Sequence, residues 1–144
     1  MNMIQSRIKI IFYWALIGIC FILHNLLHLS EIYYGKDMLI ANTAGIMPVS
    51  VQIFTVLVSI MPFILAVLSL NFFKKGFLWA SFVWSILLLC LNAVHFGQTA
   101  AEEVFDLAQT VLLLFILVMN LLLSFTLWRS VRSGKDRKQK PSVH

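Results

Sequence analysis

Four long, almost uninterrupted apolar stretches constrain this chain more than any motif does. They cover residues 8–29, 49–73, 77–97 and 101–128. A bilayer hydrocarbon core is roughly 30 Å thick and takes about 20 apolar residues per helical crossing, so each stretch is long enough to span it. The chain is 60% hydrophobic and only 12% charged, which is too few charges for the surface of an ordinary soluble protein. We therefore predict an integral, multi-pass membrane protein.

Helix is the secondary structure that these stretches predict. A membrane β-barrel would show segments of about ten residues with alternating polarity, whereas these stretches are continuous. Helices also satisfy their own backbone hydrogen bonds inside lipid. The predicted fold is all-α: residues 1–128 form a single four-helix transmembrane bundle, and residues 129–144 form a basic, disordered tail. Pro62 falls inside the second stretch and predicts a kink in that helix.

The distribution of charge predicts the orientation. Ten of the eleven lysines and arginines fall on one side of the predicted bundle: Arg7, Lys9, Lys74, Lys75, Arg129, Arg132, Lys135, Arg137, Lys138 and Lys140. By the positive-inside rule this side is the cytoplasm, so both termini are predicted to be cytoplasmic. Five of the six acidic residues fall on the outer side. The basic tail should attract anionic lipid of the bilayer, and we expect no nucleic-acid partner.

Histidines, carboxylates and amides gather at the predicted outer ends of the helices. The first stretch ends with His24, His28 and Glu31 at spacing i, i+4, i+7, which places them on one helix face. The other three stretches bring polar residues to the same depth: Gln52, Thr55, Ser59, Asn92, His95, Glu102, Glu103, Asp106 and Gln109, with Glu102, Asp106 and Gln109 on one predicted stripe. Because charged groups are costly in lipid, we expect this set to face the interior of the bundle.

These residue types favour a metal ion or a structural network. Imidazole and carboxylate are common ligands of zinc and of non-haem iron. The candidate metal residues are His24, His28, Glu31, His95, Glu103 and Asp106, the last two as orienting groups or as a general base on metal-bound water. A haem between His28 and His95 is less favoured, because the acids would be unexplained. The structural alternative is a network of paired histidines and carboxylates that locks the bundle.

The remaining conspicuous residues indicate roles in helix packing and in interhelical hydrogen bonding. Cys20 and Cys90 lie inside apolar stretches, where cysteine behaves as a small hydrophobic residue, and no disulfide framework is expected. Asn120 and Ser124 lie deep in the last stretch and should form hydrogen bonds across helices. The sequence contains neither a glycine-rich phosphate loop nor a nucleophile elbow, so nucleotide enzymes and serine hydrolases have no support.

One pair of short segments carries a family resemblance. The residues His28-Leu-Ser-Glu31-Ile32, together with Asn92-Ala-Val-His95, resemble bacterial membrane proteins named for an HXXEE motif. The second glutamate of that motif is Ile32 here. The resemblance implies a bacterial cell membrane location and a functional core of His28, Glu31, Asn92 and His95. It implies no particular activity.

Three classes of function remain open from the sequence. The protein is a metal-binding protein or metal-dependent membrane enzyme, a small carrier that uses its carboxylates as a proton or cation relay, or a non-catalytic accessory subunit. A homo-oligomer and a hetero-oligomer are both compatible with it. The predicted cytoplasmic halves of the helices hold few ionisable groups, which argues against a continuous path for ions across the membrane.

Overall fold

Helices dominate the computed structural model, which describes residues 3–35, 46–101 and 106–136. Within these ranges four helices are long and apolar enough to cross a membrane, and no strand is present. The first span is Met3–Ser30 with a 3₁₀ turn at Glu31–Tyr34, the second is Val49–Asn71, the third is Lys75–Ala100 and the fourth is Leu107–Asp136. The predicted all-α, four-helix membrane fold is confirmed.

The second span changes its helix type just before its proline. Val49–Thr55 is α-helical, Val56–Ile60 is a π-helical turn, and Met61–Asn71 is α-helical again. Pro62 has no N–H to donate to the carbonyl four residues earlier, and a wider π turn is a known way to accommodate such a break. A π turn therefore lies just before Pro62, where the sequence predicts a kink, and the kink itself stays a prediction.

Both boundaries of the fourth span differ from those that the sequence predicts. The helix begins at Leu107 and not at Ala101, which instead follows the end of the third span. At its other end the helix continues to Asp136, so residues 129–136 of the predicted disordered tail are helical. Their helical conformation follows from continuation of a long helix, which adds one hydrogen bond per residue at little extra cost. Residues 137–144 lie outside the described part of the chain.

Packing places the first span between the second and the fourth. It contacts the second and fourth spans closely, and the third span packs against the fourth. Gly18 allows the closest approach to the second span, because a Cβ added there would lie 2.6 Å from the ring of Phe63. Near the start of the first span, the Arg7 guanidinium donates to the carbonyl oxygens of Ser69, at 2.8 Å, and of Leu70. These contacts satisfy orphan carbonyls at the end of the second span's helix.

Most of the buried residues of the third span are polar, and many of its exposed residues are apolar. Within this fully described span the buried residues are Leu78, Ser81, Ser85, Leu88, Asn92 and Thr99. Large apolar side chains such as Val83 and Leu87 are about half exposed, at 52% and 51%. This arrangement suits a helix surrounded by lipid, where polar side chains find partners only within the protein.

Candidate metal centre

Two histidines from different spans meet at one end of the bundle. We call this end, where the first and third spans finish, the histidine end. His24 lies near the end of the first span and His95 near the end of the third. Their Nε2 atoms are 3.0 Å apart, and the ring centroids are 5.0 Å apart in an edge-on arrangement. The prediction that the first and third spans bring histidines to the same depth is confirmed.

His24 is the buried member of this pair, with only 7% of its surface exposed. In a hydrogen bond between two Nε2 atoms, one ring donates a proton and the other accepts it. The second nitrogen of His24, Nδ1, is buried and has no hydrogen-bond partner among the described residues. A buried imidazole nitrogen without a well-formed hydrogen bond is costly, so a neighbouring polar side chain or another group that bound there would stabilise the ring.

His28 completes a cluster of three imidazoles. Its ring packs edge-on against that of His24, with centroids 4.6 Å apart. Within the described part of the chain, one ligand nitrogen from each of His24, His28 and His95 lies within 4.8 Å of the other two. Zinc–nitrogen bonds of about 2.0–2.1 Å in tetrahedral geometry require nitrogen separations of about 3.3–3.4 Å. The three imidazoles are therefore close enough together to be candidate ligands of one ion.

Glu31 acts on this cluster through His28. Its Oε1 lies 3.0 Å from Nδ1 of His28, and only 17% of the Glu31 side chain is exposed. When Nδ1 donates its proton to the carboxylate, Nε2 carries the lone pair that a metal ion needs. Carboxylates that orient a ligating histidine in this way are common around protein-bound metals. The structure thus gives Glu31 a contact suited to orienting a ligand.

Gln109 of the fourth span is a buried amide that the sequence placed near the site without giving it a role. It is 1% exposed, and neither its Nε2 nor its Oε1 has a hydrogen-bond partner among the described residues. Its amide lies beside the imidazole of His24, whose Nδ1 is also unpartnered. The sequence shows that Gln109 is polar. That it lies beside His24 depends on the rotation of the fourth helix about its axis, which the sequence does not give.

Asp106 does not lie on a helical stripe, contrary to the prediction. It precedes the fourth span's helix, and its Oδ1 accepts a hydrogen bond of 3.0 Å from the backbone N–H of Gln109. Its backbone carbonyl accepts a bond of 2.7 Å from the hydroxyl of Thr110. Aspartate is among the preferred N-cap residues because its short side chain reaches the free N–H groups of the first turn. Of the other predicted site acids, Glu103 lies outside the described residues.

A cavity of about 330 Å³ adjoins the histidine pair. Its lining combines residues of the first three spans and includes both His24 and His95. The amides of Asn25, Asn92 and Gln98 add hydrogen-bonding groups to the same wall. Cavities of this size, largely apolar with a few polar groups, are typical of small-molecule sites.

An interhelical network supports the third span behind the cavity. Ser85 and Ser124 lie 3.0 Å apart through their hydroxyl oxygens, linking the third and fourth spans. When the Asn120 amide is oriented so that both its nitrogen and its oxygen have partners, the nitrogen donates to the carbonyl of Ser85 at 3.2 Å and the oxygen accepts from Asn92 Nδ2 at 3.2 Å. The prediction that Asn120 and Ser124 bond across helices is confirmed. Since Asn92 also lines the cavity, this network fixes part of the cavity wall.

No protein-family model, curated protein or solved structure matches this chain. The resemblance to HXXEE-motif proteins stays a prediction. Of the four residues that it singles out, the structure places His28 against Glu31, and both Asn92 and His95 at the cavity.

Proposed function

We propose that this protein is an integral membrane metal-binding protein in which His24, His28 and His95 hold one zinc ion. The observation that carries the proposal is the convergence of three imidazoles from two spans, with their ligand nitrogens within 4.8 Å of one another, in the described part of the chain. His24 is buried, and a buried polar ring is costly unless its polar atoms all have partners, so a partner shared by the cluster would stabilise it. A divalent ion supplies that partner for all three rings.

The ligand chemistry favours zinc over iron. Three neutral nitrogen ligands with one open position are typical of zinc sites, whereas the non-haem iron triad combines two histidines with a carboxylate. The carboxylate nearest the cluster, Glu31, already contacts the Nδ1 of His28. Haem is not favoured, since the three rings pack edge-on against one another and leave no slot for a macrocycle between them.

Neighbouring polar groups fit roles around the ion. Glu31 orients His28 through Nδ1. A small side-chain rotation would let Gln109 Oε1 accept the Nδ1 proton of His24, which would satisfy two orphaned groups and leave Nε2 free for the metal. The open coordination position then faces the cavity that His24 and His95 line. By the positive-inside rule, we place this centre toward the outer face, with both termini cytoplasmic.

The hydrogen bond between His24 and His95 supports a second candidate, a metal-free network that locks the bundle or relays protons. The two candidates respond differently to chelation. With zinc bound, removal of the ion lowers thermal stability, because a ligand that binds only the folded state stabilises it. A metal-free network is indifferent to a chelator.

Elemental analysis tests the proposal directly. The full chain is purified in detergent, stripped with a chelator, reloaded with zinc and desalted, and zinc per chain is measured together with thermal stability. We expect a stoichiometry near one, and loss of zinc on acidification as the imidazoles become protonated. His24→Ala and His95→Ala should abolish binding. The matched control is His144→Ala, which removes the chain's fourth histidine and should retain the ion.

Stability alone does not decide the question, because each alanine also removes a buried hydrogen-bonding group at a cost of about 1–3 kcal/mol. The decisive comparison is the effect of chelator on each variant. Chelator should lower the wild-type melting temperature toward that of His24→Ala and leave the variant unchanged. A folded wild type that takes up no zinc and ignores the chelator overturns the proposal in favour of the network.

A further inference from the structure

The cavity beside the histidines has a buried polar part and an exposed rim. His24 and Asn92 are buried, whereas the rim includes apolar Phe54 and Val94, with 54% and 61% of their surfaces exposed, together with exposed polar residues, Asn25, Thr55 and Gln98. Exposed apolar side chains in a membrane-spanning segment face lipid. A molecule entering between Phe54 and Val94 would come from the bilayer, and only its polar end would reach the histidines.

The packing of the spans also points to a lateral opening. The cavity lining comes from the first, second and third spans. Among the described residues, the first span packs closely against the second and the fourth, and the third span packs closely against the fourth. The second and third spans do not pack closely against each other. The cavity therefore lies on a side of the bundle where the second and third spans are not closely packed against each other. The π turn adds to this wall, since Val58 and Ser59 both line the cavity.

We propose that this cavity binds the head of a single-chain amphiphile with a monoanionic oxygen head, a fatty carboxylate. The inference rests on the proposed zinc site. One carboxylate oxygen occupies the open position of the ion, and the amides of Asn25, Asn92 and Gln98 are available as hydrogen-bond donors to the head. The alkyl chain leaves between the second and third spans into the lipid.

Charge balance selects the monoanion. A zinc ion brings two positive charges, and Glu31, paired with His28, contributes one negative charge. Among the described residues that line the cavity there is no lysine, arginine, aspartate or glutamate. One further negative charge makes the site neutral, which is the favoured state where water is scarce. A dianionic phosphate head would leave excess negative charge, and a neutral alcohol would leave the positive charge uncompensated.

Cavity size limits how much of the ligand the protein encloses. A volume of about 330 Å³ lies at the lower end of small-molecule sites, which run from about 300 to 1,000 Å³. It accommodates a head group and the first chain carbons. The remaining carbons must stay in the bilayer, which explains why a rim of exposed apolar side chains is useful.

Equilibrium binding of radiolabelled lauric acid to the zinc-loaded full chain in detergent tests this inference. We expect saturable binding of one lauric acid per zinc, lost on chelation, and displaced by unlabelled lauric acid far better than by dodecyl phosphate or dodecanol. Ser59→Trp places a bulky ring in the cavity lining and should weaken binding by at least about tenfold, equivalent to 1.4 kcal/mol, while zinc is retained. The matched control is Val118→Trp on the fourth span, at a residue 43% exposed outside the cavity lining, which should keep both.

The outcomes separate this inference from the metal proposal. If the wild type binds no zinc, the proposed function itself fails. If zinc binds but lauric acid binding is absent, or is unaffected by both chelation and Ser59→Trp, only the fatty carboxylate inference is overturned. Preferential displacement by dodecyl phosphate or dodecanol also overturns it, because the charge argument would then be wrong.

Discussion

A methyl group added at Gly18 should push the first two spans apart. The new Cβ would lie 2.6 Å from Cε2 and 2.7 Å from Cζ of Phe63, whereas ordinary contacts begin near 3.4 Å. Relief of this overlap requires a movement of about 1 Å by the ring or by the second span. Phe63 lies just after Pro62 in a helix whose neighbouring turn lines the cavity, so the movement is transmitted toward that wall.

The expected cost follows from two opposing contributions. Overpacking at a close interface costs about 1–3 kcal/mol. Replacing glycine by alanine within a helix returns roughly 0.5–1 kcal/mol, because alanine loses less backbone entropy. Gly18→Ala should therefore reduce the free energy of unfolding by about 1–2 kcal/mol. The matched control is Gly97→Ala in the third span, where an added Cβ meets nothing within 4 Å, and it should be neutral or stabilising.

Reversible unfolding by SDS in mixed micelles, followed by circular dichroism, measures both variants. The double variant Gly18→Ala with Phe63→Leu tests the mechanism, because a more flexible side chain makes room for the methyl group and should restore part of the loss. If Gly18→Ala is as stable as Gly97→Ala, or if Phe63→Leu gives no recovery, the close approach of the first and second spans is not what limits this position.

Substitutions at three further residues probe the site and its supports. Gln109→Met should lower zinc affinity about 10–100-fold in calorimetry, whereas Gln109→Glu should retain it, because an acceptor beside His24 holds the ring in its ligating form; equal affinities would remove Gln109 from the site. Asp106→Ala should cost about 0.5–2 kcal/mol of stability through the lost helix cap while zinc per chain stays constant. Loss of zinc would show that Asp106 is more than a cap. Asn120→Leu should cost about 0.6–1.7 kcal/mol through lost interhelical bonds, measured by SDS unfolding, and an unchanged midpoint would contradict the network.

The sequence by itself determined the number of spans, their type and most of their limits. Lipid leaves no alternative to helix for a long apolar stretch, so length and hydropathy are sufficient information. It also placed His28 and Glu31 on one face of the first span, because helical spacing is a local property, and the two side chains do meet. The loss of a regular helical hydrogen bond at Pro62 was predictable for the same reason, since the missing N–H belongs to the residue itself, but the π turn before it was not predicted.

Tertiary structure decided which polar groups meet across spans. Whether His24 faces His95, and whether Gln109 lies beside them, depends on the rotation of each helix about its axis. In lipid that rotation is set by close packing and interhelical hydrogen bonds, such as Gly18 against Phe63 and Ser85 against Ser124. Hydropathy is nearly the same all round these helices and carries little information about rotation. The sequence placed Asp106 inside the fourth helix, but it precedes that helix, because its short side chain caps the free N–H groups of the first turn.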